Sequence, residues 1–588
     1  MTAAATTSAS PAARADPTSP TAALGRSVLE RLGVAELPLG NLDPVSFLRS
    51  LARAGTSIAR NPTAVAAANA RLAIGTASAL RATAGRAIGL KTAGPAAPAP
   101  GDKRFADPAF EQNPMYFLLQ QQYLLGVQLV TELLDAAGLE APTDVKARFA
   151  AAFLLDAVSP TNTFGGNPAA VRQAFDTGGK SVVRGAVNML SDIRHNGGWP
   201  SQVDGRGFEV GVNMAATPGE VVYRSDLIEL IQYHPQTPTV HKVPLLFCPP
   251  WINKYYIMDL APGKSLIEWA VQHGHTCFAI SYRNPDASMR DLDIEDYLFQ
   301  GPLDAIRVVK EITRATQVNT LSVCLGGTLT AIGLAHLAGT GDSSVKSATF
   351  LNTHTDFSRP GALGVFTDEA TIAGLEKQMN KRGYLDSAKM AHTFDALRAN
   401  DLVFGYLVNN WLLGKKPPAF DLLVWNKDST RMPARMHSRY LRSCYLRNEF
   451  ASGEFEVKGE RVDPGAVEVD TYVLSAVDDH IVPWRSGYAT TQLLGGASRF
   501  VLSTSGHIAG IVNPPGPKAK HWVSEDPLPE DPQAWKESAT LVPSTWWEDW
   551  ATWAAGQGGA MVKAPRRAGS KVHPVMEPAP GTYVRARA

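Results

Sequence analysis

NTLSVCLGGTLTAIGLAHLAG, residues 319–339, reads as a short buried strand that turns sharply into a helix. Ser322 stands two residues before Cys324, and Gly326 and Gly327 stand two and three after it. Small residues at those spacings permit the tight strand-to-helix turn that lifts a nucleophile out of a sheet, the G-x-S-x-G elbow, here with cysteine as the nucleophile and serine at the first glycine position. A helix N-terminus beside Cys324 favours thiolate over thiol. The backbone N–H of Leu325 would face a developing oxyanion. The competing reading is a structural cysteine near glycines.

Working outward, the same alternation continues on both sides. GEVVYRSDLIELIQY (219–233) reads as a hairpin, VPLLFCPP (243–250) as a buried parallel strand, SLIEWAVQHG (265–274) as a helix and TCFAISYR (276–283) as a strand. DIEDYLFQGPLDAIRVVKEITRAT (293–316) is helical and VKSATFLNT (345–353) is a strand. The β-α-β-α order implies a parallel sheet with helices on both faces. It lapses from about 357 to 466, then resumes with VEVDTYVLSAVDD (467–479) and SRFVLSTSGH (498–507). A long interruption before the last two strands is expected of a cap inserted over a sheet.

Composition narrows the function classes. In 588 residues Lys+Arg is 56 and Asp+Glu is 55, a net charge of +1 that gives no electrostatic case for nucleic-acid binding. The four cysteines, at 248, 277, 324 and 444, exclude a disulfide scaffold and show no CxxC zinc spacing. No apolar window approaches a spanning helix, and the N-terminus lacks a secretory pattern, so a soluble, cytoplasmic enzyme without a metal is expected. Residues 1–103 form an Ala-rich segment expected to be largely disordered or loosely helical. The first 100 hold 28 alanines, 10 basic and 4 acidic residues and one aromatic, Phe47. Within it, NPTAVAAANARLAIGTASALRATAGRAIGLK (61–91) places arginines 71, 81 and 86 at helical spacing. It reads either as an interfacial helix resting on an apolar surface or as a loosely attached helix or linker. Residues 104–204 form a helical domain for packing, dimer or partner contact, and 205–588 the catalytic domain.

An elbow cysteine needs a base and an acid, in the chain order nucleophile, acid, histidine. DDHIVPW (478–484) and SGHI (505–508) each follow a predicted strand at the same sheet edge. His507 would take the proton of Cys324, and Asp479 would fix the tautomer of His507. Asp478 is an alternative acid and His480 an alternative base. His507 is preferred, because His480 adjoins the acid and can hardly also lie between it and the cysteine. The remaining histidines, His354 among them, read as surface or core residues. The loop Cys248–Tyr256, CPPWINKYY, follows the strand whose loop supplies a second oxyanion donor in this arrangement, from Trp251 or Ile252. A proline-stiffened loop packed by aromatics is its alternative reading. The expected class is α/β: an α/β-hydrolase-like domain with an inserted cap, preceded by a helical N-terminal domain.

With PPWINKYYIMDL (249–260), SYRNPDAS (281–288), FDLLVWNKDSTRMP (420–433), DDHIVPW and SGHIAGIVNPPGPK (505–518) in this order around the SVCLGG box, the chain resembles the polyhydroxyalkanoate synthases from about residue 104 to its PAPGTYVRARA ending. It is most similar to the one-subunit type, and short-chain class I is expected. The family's nucleophile, aspartate and histidine fall on Cys324, Asp479 and His507; Ser322 departs from the family's usual glycine. The resemblance implies polymerisation of (R)-3-hydroxyacyl-CoA through an acyl-cysteine. It implies no cofactor, since coenzyme A is the leaving group. The implied partners are the polyester chain and granule surface and a second copy in a homodimer, and the implied location is the cytoplasm at granules. A cysteine hydrolase or thioesterase of the same fold and a non-catalytic granule-binding protein are the competing functions.

Overall fold

The computed structural model describes residues 44–587; what is expected of residues 1–43 lies outside the described residues. Helices lead the described chain, among them α1 (Pro44–Ala59), α2 (Pro62–Ala87), α3 (Pro114–Ala137), α4 (Thr143–Ala157) and α5 (Lys180–His195). The Ala-rich stretch differs from the loosely held segment expected of it: α2 lies along α3. Asn61 caps α2 by accepting from the Ala64 N–H at 3.3 Å, and Pro62 begins its first turn. The contact face is Ala68, Gly75, Ala79 and Ala82, all buried. A Cβ on Gly75 would stand 2.6 Å from a methyl of Leu125, so the two helices meet where only hydrogen fits. Small side chains bury little area each, yet they let backbones close up and gain dispersion contact along the whole seam. The arginines serve the same contact: Arg71 pairs with Glu132 at 2.8 Å, and Arg86 sits 4.0 Å over the Phe117 ring.

α1 and α4 anchor this helical region to the segment above the sheet. Phe47 packs between Phe149 and Phe366, at 5.6 and 6.0 Å between ring centres. The buried Lys146 ammonium pairs with Asp368 at 2.5 Å and donates to Thr371 Oγ1 at 2.7 Å and Ser46 Oγ at 2.9 Å. Removing one member of a buried pair strands the other, at a cost of about 3 kcal/mol. Lys146→Met is therefore expected to lower the denaturant midpoint clearly, and Asp368→Asn in the same chain to recover part of the loss. Equal midpoints for Lys146→Met and wild type would show that the anchor is dispensable.

The sheet carries eleven strands: β1 (Gly219–Arg224), β2 (Ile228–Tyr233), β3 (Leu245–Cys248), β4 (Cys277–Tyr282), β5 (Val318–Val323), β6 (Val345–Leu351), β7 (Asp470–Ala476), β8 (Ser498–Ser503), β9 (His521–Val523), β10 (Thr540–Val542) and β11 (Glu577–Pro578). Their spatial order is β10-β9-β8-β7-β6-β5-β3-β4-β2-β1-β11. The six strands from β8 to β4 are mutually parallel, and antiparallel strands close both edges. β3, β4 and β5 are buried at every residue, which is why they read as unbroken apolar runs. β5 feeds α6 (Leu325–Gly339), buried from Leu325 to Ala335.

Between β6 and β7 the chain leaves the sheet for more than a hundred residues. This excursion carries α7 (Glu369–Arg382), α8 (Ser387–Leu397) and α9 (Ala434–Tyr440), and its inner faces close over the C-terminal ends of the strands. The elements after β8 went unread in the sequence. α10 (Trp546–Gln557) buries Trp546, Trp547 and Trp550, whose indole N–H groups donate to Gly510 O at 2.9 Å, Ile511 O at 3.0 Å and Thr349 Oγ1 at 3.1 Å. The chain's end is clamped as well. The Lys254 ammonium donates to Val584 O and Ala586 O at 2.5 and 2.7 Å, and the backbone N–H of Tyr583 donates to the buried Glu229 at 2.9 Å.

Candidate active site

Cys324 sits at φ 50°, ψ −120°, at the junction of β5 and α6. This backbone conformation is sparsely populated for a residue with a side chain, and the surroundings hold it in place. The Cys324 N–H donates to Leu351 O at 2.9 Å, and the Thr353 hydroxyl donates to Cys324 O at 3.3 Å. The two glycines are required by close approach. A Cβ on Gly326 would stand 2.3 Å from Cys248 O, and one on Gly327 2.1 Å from Thr353 Oγ1. Gly326→Ala is expected to lower stability by about 1–3 kcal/mol, because its clash is with backbone that cannot swing away. A thermal melt checks it; an unchanged melt would mean that the β3 loop yields freely.

Ser322 gains a partner in place of the expected glycine's bareness. Fully buried, its hydroxyl donates to Thr330 Oγ1 at 2.9 Å, and the Thr330 hydroxyl donates to Gly326 O at 2.8 Å. The strand end is thereby tied to the first two turns of α6.

His507 and Asp479 converge on Cys324 from the loops after β8 and β7. The Asp479 carboxylate is buried; Oδ2 lies 2.6 Å from His507 Nδ1, and Oδ1 accepts the N–H groups of Ile481 and Val482 at 2.8 and 2.9 Å. Burial alone would push the His507 imidazole down. The Asp479 carboxylate, bonded to the ring, and the Cys324 sulfur outweigh it and hold the imidazole well above the usual histidine value. The His507 loop is held from three sides: Ser505 turns at φ 78°, Asn352 Nδ2 donates to His507 O, and Trp546 and Trp547 grip Gly510 and Ile511.

The alternatives separate cleanly. Asp478 is exposed and only its backbone N–H reaches the loop, donating to Ser505 O at 3.0 Å. His480 is half-buried and makes no bond to Cys324, and burial pushes its imidazole down to about 4. Of the oxyanion candidates, Leu325 and Ile252 line the same cavity as Cys324. Trp251 lies behind that wall, packed on Tyr297 and Tyr440, with its carbonyl accepting from Thr430 Oγ1 at 3.0 Å.

The cavity in front of Cys324 measures about 70 Å³ and is walled mainly by the insertion: Phe366 and Leu375, α8 residues Met390 and Phe394, and α9 residues His437 and Tyr440. His354, read from the sequence as a surface or core residue, is also in this wall, with its ring nitrogens 3.1 Å from Ile481 O and 3.3 Å from Asp356 O. The proximity of Asn352 and His354 to Thr353 beyond β6 was the available signal, since the next loop along the sheet edge faces the nucleophile. The cap residues carried none, because nothing local tells a helical segment which face will look inward.

A parallel sheet with a strained cysteine elbow, and a buried aspartate–histidine pair on the loops after the next strands, defines an enzyme of the α/β hydrolase fold. A family model described as "alpha/beta hydrolase fold" matches residues 243–514, and one described as "Poly-beta-hydroxybutyrate polymerase (PhaC) N-terminus" matches residues 101–270. A "Poly(3-hydroxyalkanoate) polymerase" of Methylorubrum extorquens is 43% identical over 562 residues, covering 94% of this chain and 93% of its own. A "Poly(3-hydroxyalkanoate) polymerase subunit PhaC" of Cupriavidus necator is 43% identical over 83% of each chain. "Poly(3-hydroxyalkanoate) polymerase 1" of Ectopseudomonas oleovorans is 40% identical over 84% of this chain and 88% of its own. The chain belongs to the poly(3-hydroxyalkanoate) polymerase family, whose members are acyltransferase-type enzymes.

Proposed function

We propose that the protein polymerises (R)-3-hydroxyacyl-CoA into a polyester, releasing CoA, with Cys324 as the covalent carrier. The observation that supports this most is Cys324 in the wall of an apolar cavity closed by the insertion, with its sulfur and the hydrogen-bonded Asp479–His507 pair acting on one another. His507 takes the Cys324 proton and the thiolate attacks the thioester carbonyl. The N–H groups of Leu325 and Ile252 stabilise the oxyanion, and CoA leaves as the carbonyl reforms, taking the proton from His507 and leaving it neutral. The acyl-cysteine is a thioester of nearly the same energy as the one broken, so the group stays activated. The 3-hydroxyl of the next unit then attacks, losing its proton to Asp479 or to His507, and an oxoester replaces a thioester, which is downhill. The apolar lid keeps water from competing. The reaction needs no cofactor. Purified protein incubated with 3-hydroxybutyryl-CoA is expected to give insoluble polymer and free CoA; soluble 3-hydroxybutyrate in place of polymer would make it a thioesterase.

The product is an apolar solid, and the chain offers a face for it. α5 buries Ser181, Gly185 and Asp192 and leaves Val183, Val187, Leu190 and Ile193 exposed along one stripe. Among the described residues no helix is long and apolar enough to cross a membrane, so this stripe fits a surface contact with polyester granules in the cytoplasm. Val183→Glu with Leu190→Glu is expected to shift the protein from the granule pellet to the supernatant while turnover on soluble substrate persists. An unchanged partition would remove α5 from the contact.

A further inference from the structure

The polar groups that line the catalytic cavity are nearly all engaged with the protein. The hydroxyls of Thr367 and Thr371 donate to Gly364 O at 3.0 Å and to Asp368 Oδ2 at 2.7 Å. The Thr393 hydroxyl donates to Lys389 O at 2.9 Å. His437 makes no such bond. It sits on α9, one turn before Tyr440, with 3% of its surface exposed and its ring in the cavity wall; neither ring nitrogen has a hydrogen-bond partner, and Nδ1 is closed off while Nε2 is not. Burial pushes its imidazole down to about 3, with no neighbouring carboxylate to oppose it, so the ring is neutral. A neutral imidazole has one donor and one acceptor nitrogen, and leaving either unmet in a buried site is costly.

We propose that His437 is a specificity-determining residue that hydrogen-bonds the 3-hydroxyl of the acyl unit carried on Cys324. This rests on the polymerase reading above. The acyl chain of the proposed substrate is apolar beyond its thioester except for that hydroxyl, which both donates and accepts. The rest of the wall suits the hydrocarbon: Leu375, Met390, Phe394 and Leu441. An acyl group without the hydroxyl fits the same walls but leaves the Nε2 of His437, the ring nitrogen that is not closed off, unmet. A site built to bond a hydroxyl discriminates against the analogue that lacks it more strongly than a hydrophobic pocket can discriminate by size. Because its ring stays neutral, His437 orients the hydroxyl and is too weak a base to deprotonate it.

The test is single-turnover acylation of the full-length protein with 3-hydroxybutyryl-CoA and with butyryl-CoA, counting the CoA released in the first turnover. In wild type the hydroxylated substrate is expected to acylate faster. His437→Phe is expected to cut that preference by about tenfold to a hundredfold, by slowing 3-hydroxybutyryl-CoA while butyryl-CoA holds or improves. His437→Gln, which keeps a donor and an acceptor, is expected to restore much of it. A parallel loss with both substrates would assign His437 a structural role and overturn the proposal. An unchanged ratio, as when water alone meets Nε2, would overturn it too. A wild-type protein that releases no CoA from 3-hydroxybutyryl-CoA overturns the polymerase reading itself, which separates the two failures.

Discussion

Cys324→Ala is expected to abolish CoA release from 3-hydroxybutyryl-CoA, to at least about 10⁴-fold below wild type, in a protein that melts as a folded chain. The magnitude follows from the route: every acyl unit passes through this sulfur, so no partial pathway survives its loss. The other thiols offer no substitute. Cys248, Cys277 and Cys444 are buried, and burial pushes all three thiols well up, so none is a nucleophile at neutral pH. Cys277→Ala and Cys444→Ala are expected to keep most of the activity. Iodoacetamide is expected to label Cys324 first in the native protein, with turnover lost in step. Turnover that survives in folded Cys324→Ala would refute the assignment.

The second large effect separates the two roles open to Asp479. If it only orients His507, Asp479→Asn impairs acylation and elongation alike, by about 10²–10⁴-fold. If it is the base for the incoming 3-hydroxyl, acylation proceeds and the chain stops after one unit. Rapid-quench counting of labelled acyl units per Cys324 against CoA released decides between them. The observed geometry favours the orienting role, because Oδ2 is committed to His507 and Oδ1 to the N–H groups of Ile481 and Val482. A single-unit stall would overturn that preference. His507→Gln is expected to block both steps in either case.

The same pair shapes the pH response. Asp479 helps to hold the His507 imidazole well above its unfolded value. A histidine raised in the folded state contributes stability that is fully present below the unfolded pKa of about 6.5 and is lost as pH rises through the folded value. The gap in melting temperature between wild type and Asp479→Asn is therefore expected to be widest near pH 6 and to narrow toward alkaline pH. A gap that widens with pH would mean that His507 is neutral in the folded protein.

Much of the catalytic frame was legible in the residues alone, because it rests on local rules. Fully buried parallel strands must be apolar throughout, so β3, β4 and β5 announce themselves, and an elbow needs small residues on both sides of its nucleophile. The order of Cys324, Asp479 and His507 along the chain is also a local fact. Three things belonged to the tertiary structure. Asp478 and Asp479 are adjacent and chemically alike. Only the path of the loop after β7 turns one to solvent and the other to His507. The Ala-rich α2 has too little apolar area to foretell packing, because its contact comes from closeness to Leu125 on another helix, which no local pattern records. The cavity wall is drawn from α7, α8 and α9, far from Cys324 in the chain. Which faces of those helices look inward depends on how the insertion folds back over the sheet, and that is settled by long-range packing alone.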